Sequence, residues 1–120
     1  MSLICLCAVH INTIERKEYF LNMIESWYNQ TNKIELHISL SAINDIDIHD
    51  TINDLIKYNL LYIYYQKEKL SLFNHYKYLL QSLKSYIDCY VIFTNGVGLW
   101  HPHRVSYFYK VIDDLPQNIW

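Results

Sequence analysis

The sequence predicts an α/β domain, a Rossmann-like three-layer α/β/α arrangement around a mainly parallel sheet of about four strands. Three observations predict it. Segments of strand and helix character follow one another as β-α-β-α-β-α-β-α, the order of a parallel sheet with right-handed crossovers. The first of them, Leu3-Ile-Cys-Leu-Cys-Ala-Val9, is a continuous apolar run, the pattern of a strand buried on both faces. At 120 residues and 52% hydrophobic, the chain suits one domain spanning residues 1–120 with a single core.

Each later element has its own signal. Asn12-Thr-Ile-Glu15 fits a capping box with Asn12 as the cap. Behind it Phe20, Met23, Ile24 and Trp27 recur at i, i+3, i+4, i+7, one face of a helix. Ile34 to Leu40 alternates as a second strand. Asp50 opens a second helix with Ile52, Leu55 and Ile56 on its apolar side. Leu61 to Tyr65 is rich in β-formers and gives the third strand. Leu72, Tyr76, Leu79, Leu80 and Leu83 mark a third helix started by Ser71, and Tyr90 to Thr94 is the fourth strand. Pro102 suits the start of a last helix carrying Val105, Phe108 and Ile112, and Pro116 stops it.

Composition excludes several classes. The net charge is −2 and the densest basic spot, Lys67-Glu-Lys69, is interrupted, so nucleic acid is not an expected partner. No window approaches a membrane-spanning length, and the first apolar run is too short for a signal peptide. A membrane partner is therefore not expected, and the expected location is the cytoplasm. Three cysteines, Cys5, Cys7 and Cys89, cannot all pair, which agrees with a reducing compartment. Heavy use of Ile, Asn, Lys and Tyr, with arginine only at 16 and 104, points to an AT-rich genome such as a parasite's or a large DNA virus's. For a viral chain the location becomes the host cytoplasm.

In an open parallel sheet, ligands bind beyond the carboxyl ends of the strands, where strand order reverses. With strand order 3-2-1-4 that crevice lies between the first and fourth strands. His10-Ile-Asn-Thr13, Ser39-Leu-Ser41, Gln66-Lys67 and Thr94-Asn-Gly-Val-Gly98 meet there. These segments are polar and suit a small-molecule cleft, with Lys67 as a partner for phosphate; plain solvated loops would read the same way.

The chain also resembles a family along nearly its whole length. Val9-His-Ile-Asn-Thr-Ile-Glu-Arg16 looks like the first-strand loop of inverting, family-two-like GT-A glycosyltransferases, and Ile24-Glu-Ser-Trp-Tyr-Asn-Gln-Thr31 is similar to their first helix end. Lys69-Leu-Ser-Leu-Phe-Asn-His75 resembles the segment opening their third helix. Tyr90-Val-Ile-Phe-Thr-Asn-Gly-Val-Gly-Leu-Trp-His-Pro-His-Arg104 resembles the strand that leads to their metal-binding aspartates. The resemblance implies the nucleotide-sugar-binding half of a truncated GT-A nucleotide-diphospho-sugar transferase fold. Carried over position by position, it implies nucleotide-binding roles for His10, Asn12, Thr13, Arg16, Lys69, Asn74, Asn95 and Arg104, to which the crevice geometry adds Ser39, Ser41 and Lys67.

The chain departs from that family in two places. A divalent ion that neutralises a leaving diphosphate needs carboxylate oxygens, and the acidic motif is replaced here by Asn95, Gly96, Val97 and Gly98. The acceptor-binding half and catalytic base that follow in the family have no match before Trp120. The expected function is a degenerate, non-catalytic glycosyltransferase-like protein that keeps weak binding of a nucleotide or UDP-sugar. Its alternative is an active transferase, or a nucleotide-sugar-binding subunit, completed by another chain. No catalytic residue, metal ligand or cofactor is expected, and Mn²⁺ or Mg²⁺ enters only with a residual nucleotide-sugar site. Restoring aspartates at 95–98 is expected to restore a metal site.

Other motifs read more plainly. His101-Pro-His103 lacks the further ligands of a zinc site. Cys5 and Cys7 point to one side of a buried strand as small core residues, with Cys89 placed to lie across from them. Gly96-Val-Gly98 follows the fourth strand rather than the first, so it is no dinucleotide fingerprint. Tyr62, Tyr64 and Tyr65 read as sheet residues, and Asp113-Asp114 as a solvated helix end. Arg104 suits either the crevice or a structural ion pair. A fourth strand at the sheet's edge, beside Tyr107, Phe108, Tyr109, Ile112, Ile119 and Trp120, predicts a homodimer.

Overall fold

A computed structural model describes residues 2–43, 48–83, 89–96 and 98–114. Its centre is β1 (Ser2–Ile11), flanked by β2 (Glu35–Ala42) and β4 (Cys89–Asn95), with β3 (Leu61–Tyr65) outside β2. The order is β3-β2-β1-β4 and every pairing is parallel. Four helices complete it: α1 (Ile14–Tyr28), α2 (Ile48–Leu55), α3 (Leu72–Ser82) and α4 (Arg104–Asp113). This is a Rossmann-like three-layer α/β/α fold.

Handedness decides which helix covers which face. The chain steps from β1 to β2 to β3 in one direction, then reverses across the sheet to β4. Right-handed crossovers therefore put α1 and α2 on one face and α3 on the other. Side-chain alternation divides the core accordingly. Leu3, Cys5, Cys7, Val9 and Ile11 pack with Phe20, Met23, Ile24 and Trp27 of α1, Ile48 and Leu55 of α2, and Val105 of α4. Ile4 and Leu6 face Leu79 and Leu83 around α3. Burial of β1 on both faces is what its unbroken apolar run requires.

Several local expectations are corrected. The first helix is capped by Thr13, whose hydroxyl accepts from the Arg16 amide, and not by Asn12. β1 runs on to Ile11, so the helix starts one residue later, and Glu15 instead accepts from the Tyr19 hydroxyl at 2.6 Å. The second helix begins at Ile48, before Asp50, and buries Ile48, Thr51 and Leu55. Ile56 falls beyond its end and is 73% exposed; a threonine in the stripe hides the true face from an apolar count. β2 runs two residues past Leu40, and β4 takes in Cys89 and Asn95, because the ladder to β1 continues to those positions. On α3 the inward stripe is His75, Leu79 and Leu83, while Leu72 and Leu80 face solvent. Pro116, Ile119 and Trp120 lie outside the described residues.

The cysteines are core residues, with one correction. Cys5 and Cys7 are fully buried on the α1 face, and burial pushes the Cys5 thiol up to about 12 and Cys7 well above its ordinary range. Cys89 pairs with Ser2 and packs on the α3 face, opposite to them, because that register offsets it by an odd number of residues from Cys5 and Cys7. No described helix is long and apolar enough to cross a membrane.

Two tryptophans anchor the α1 face in different ways. Trp27 Nε1 donates to the Ile34 carbonyl at 3.0 Å, tying the end of α1 to the start of β2. Trp100 Nε1 is buried with no hydrogen-bond partner among the described residues.

Candidate functional site

The carboxyl ends of β1 and β4 frame a crevice of about 100 Å³ lined by Ala8, Val9, His10, Arg16, Asn95 and Gly96. Its floor is close-packed. A Cβ built on the buried Gly96 would stand 2.6 Å from Val9 Cγ2 and 3.0 Å from its Cγ1, so only glycine lets β4 end this close to β1. Arg16 reaches the crevice from the first turn of α1. It also lines an open basin of about 580 Å³ with Thr13, Glu15 and Tyr19. A typical small-molecule pocket starts at roughly 300 Å³, so the inner crevice is phosphate-sized and the basin supplies the remaining room.

Behind the crevice a polar chain runs under α3. His10 Nδ1 lies 2.8 Å from Ser41 Oγ. Ser41 Oγ lies 3.5 Å from His75 Nε2, and His75 Nδ1 is 2.7 Å from Ser39 Oγ. Gln66 Nε2, at the end of β3, donates to Ser39 Oγ at 3.2 Å. Ser39, Ser41 and His75 are all buried. Ser71 places His75 there by capping α3: its hydroxyl accepts the Asn74 amide and fixes where the helix begins.

His10 and His75 are both held below the ordinary histidine range, in each case first by burial. Lys69 and Arg16 then add like charge at His10, and His10 does so at His75. His37 is lowered too, by burial, against the opposing pull of Glu35; Tyr62 stacks on its ring and Tyr64 sits at Nδ1. The folded state therefore prefers these rings neutral. Their contribution is fully present above the unfolded pKa near 6.5 and is lost as pH falls from there through the lower folded values. Urea midpoints should accordingly drop between pH about 7.5 and about 5.5, and His75→Gln should flatten that slope; a flat wild-type profile contradicts the assignment.

The residues named from sequence separate into groups. His10, Arg16 and Asn95 do meet at the crevice, and Lys69 stands near enough to His10 to bear on its charge. Asn12 and Thr13 are exposed on the β1–α1 connection, where Thr13 caps the helix. Ser39 and Ser41 are corrected: they lie beneath α3, engaged with histidine nitrogens, and present no surface to a ligand. Lys67 is exposed and lines no described pocket. Asn74 faces solvent one position from the residue that matters, His75, which an inward-facing histidine in an otherwise apolar stripe would have signalled. Arg104 lies neither at the crevice nor in an ion pair among the described residues; its guanidinium sits 4.3 Å from the Trp100 ring on the α1 face.

Residues 95–98, which the resemblance aligns with an acidic motif, carry no carboxylate, and their described members are engaged in the fold. Asn95 Oδ1 accepts the Gly98 amide at 2.9 Å, Gly96 is packed on Val9, and Val97 lies outside the described residues. No described group of three His, Cys, Asp or Glu side chains is arranged to hold a metal. In the His101-Pro-His103 pair, His101 Nδ1 already accepts the His103 amide at 3.2 Å.

Fold and cleft together define a small parallel α/β domain with a polar, cation-flanked crevice at its topological switch point. No protein-family model matches the sequence, and no curated protein is significantly similar to it.

Proposed function

We propose that this chain is a degenerate, non-catalytic glycosyltransferase-like domain that binds a nucleotide or nucleotide-sugar weakly and without a divalent ion. The observation that carries this reading is the pairing of a phosphate-sized crevice with a larger basin, both lined by Arg16. A phosphate group fits between His10, Arg16 and Asn95, with the rest of the ligand over the basin, where the Glu15 carboxylate can accept from sugar hydroxyls. Two cations near His10 do part of the work that a metal does for a diphosphate, which supports binding but supplies no leaving-group chemistry. Buried, protonated thiols suit a reducing, cytoplasmic setting.

Calorimetry with UDP and UDP-glucose tests it. Binding should be weak, with Kd of roughly 0.1–1 mM, and unchanged by Mn²⁺ or by chelator. Micromolar binding that requires Mn²⁺ would overturn the non-catalytic reading, and the absence of any nucleotide binding would remove the nucleotide from it.

A second copy of this chain is the proposed partner, meeting at the fourth strand; Ile119 and Trp120 of the C-terminal segment lie outside the described residues. Phe108, Tyr109 and Ile112 pack against the core, and only Tyr107 of the predicted helix patch is largely exposed. The apolar surface instead lies beside the outer edge of β4, where Phe93, Phe73 and Leu80 line a groove of about 420 Å³ with Tyr76. An outer strand can pair with its own copy about a two-fold axis through β4, which would bring the two grooves into one interface. Light scattering after gel filtration should give twice the 14.5 kDa chain mass, with Phe93→Glu returning a monomer. A monomeric wild type at high concentration defeats the dimer.

A further inference from the structure

The buried polar chain has a direction. A hydroxyl carries one proton, and each neutral imidazole carries one N–H. Gln66 Nε2 donates to Ser39 Oγ, and among the described residues the acceptor in reach of the Ser39 hydroxyl proton is His75 Nδ1, at 2.7 Å, so the proton is assigned to that bond. His75 then bears its hydrogen on Nε2, which faces Ser41 Oγ at the longer 3.5 Å. With its oxygen receiving there, Ser41 donates to His10 Nδ1 at 2.8 Å. His10 is left with Nδ1 as acceptor and Nε2 as donor. His10 is the one member of the Ser39–His75–Ser41–His10 chain that is not buried, and it lines the crevice beside Arg16.

We infer that Ser39, His75 and Ser41 lock His10 as its Nε2–H tautomer, making His10 a preset hydrogen-bond donor to a phosphate oxygen that Arg16 and Lys69 attract. The inference rests on the proposed nucleotide reading and adds how the site takes the phosphate without a metal. His75 and Ser41 are positioning residues, since neither reaches the crevice. The gain is in preorganisation: a ring free to exchange tautomers presents an acceptor lone pair to the anion part of the time, and the lock removes that population. A neutral donor also suits a site already flanked by two cations, where a third positive charge would repel them.

Two measurements test this on the full chain. The first needs no ligand: long-range ¹H–¹⁵N spectra of the ¹⁵N-histidine protein at pH about 7.5 report the tautomer directly. His10 should show an unprotonated Nδ1 and a protonated Nε2, and Ser41→Ala should let the second tautomer appear in a protein that still unfolds cooperatively. His10 as an Nδ1–H tautomer overturns the lock. The second titrates inorganic pyrophosphate in the presence of EDTA. His10→Gln, whose amide nitrogen lies near the Nε2 position, should bind within about threefold of wild type. His10→Asn, whose amide reaches only the Nδ1 position, should lose about tenfold, as loss of a hydrogen bond to a charged group does. Equal binding by wild type, His10→Gln and His10→Asn overturns the inference and leaves the nucleotide reading standing. Failure of the wild-type protein to bind pyrophosphate overturns both, with the tautomer spectrum showing whether the lock itself exists. His10 is only part-buried, so its variants keep the test alive if Ser41→Ala does not fold.

Discussion

Replacing Gln30 with leucine should lower stability by about 3 kcal/mol, a large effect for a residue just past the end of a helix. Gln30 is 4% exposed, and both ends of its amide are used. Nε2 donates to the Ser26 carbonyl at 3.2 Å and to the His101 carbonyl at 2.7 Å; Oε1 accepts the Val105 amide at 3.1 Å. That last bond matters most. The helix α4 begins after His103, which makes no side-chain capping bond, so its first-turn amides need an acceptor from elsewhere. Gln30 supplies one from across the fold, and Thr31 and Asn32 extend the clasp to Pro102 and Ser106. Leucine keeps the bulk but leaves the Val105 amide buried and unpaired. Urea unfolding followed by tryptophan fluorescence reads the change, and a loss under about 0.5 kcal/mol contradicts the clasp. Gln30→Glu sharpens the test. One oxygen would still accept from Val105, while the other would face two carbonyls and favour the protonated acid, raising the folded pKa. Its stability should therefore be best below the ordinary glutamate value of about 4.3 and fall as pH rises above it.

The clasp also shows what the sequence could and could not disclose. Element type was legible because it rests on local patterns: an unbroken apolar strand at Leu3–Val9, an i, i+3, i+4, i+7 stripe at Phe20–Trp27, a serine before Leu72; the strand order came from the order common to such parallel sheets. The crevice was legible in outline, since a parallel sheet with order 3-2-1-4 brings His10 and Asn95 together by topology alone; Arg16, on α1, was named from the resemblance. Side-chain direction was not. Ser39 and Ser41 sit at the right end of β2 but on a face that α3 covers, and only the packing of α3 turns them from ligand groups into supports for two histidines. Asn74 and His75 differ by 100° around the same helix, and the helix's cap decides which faces inward. Arg104 was placed by the resemblance of residues 90–104, whereas in the fold its guanidinium stacks on the Trp100 ring, away from the crevice lining.

Placing aspartates at 95–98 is expected to fail at one position for a steric reason. The natural expectation is that aspartates at 95–98 would restore a divalent site at the expense of backbone freedom. Neither Gly96 nor Gly98 has positive φ, so backbone freedom is not what these glycines provide. Gly96 provides absence of a side chain. Its added Cβ would meet Val9 at 2.6, 3.0 and 3.3 Å, and Val9 is a β-branched residue, 7% exposed, on the central strand. Stiffness at χ1 and strand burial leave that side chain little room to turn away. Gly96→Ala should cost roughly 1–3 kcal/mol by overpacking. Gly96→Asp should cost more, because it meets the same Cβ clash with Val9 and brings a larger, charged group into the close-packed floor of the crevice. Asn95→Asp should be tolerated, since an aspartate oxygen can accept the Gly98 amide as Asn95 Oδ1 does. Val9→Ala supplies the decisive arm: it opens the space that the new Cβ needs, so the Val9→Ala/Gly96→Ala double variant should be more stable than the sum of the single losses. The expected coupling is about 1 kcal/mol or more in a double-mutant cycle from urea midpoints. Additive losses would mean that β4 and β1 part at the crevice with little cost, and aspartates could then be placed there directly.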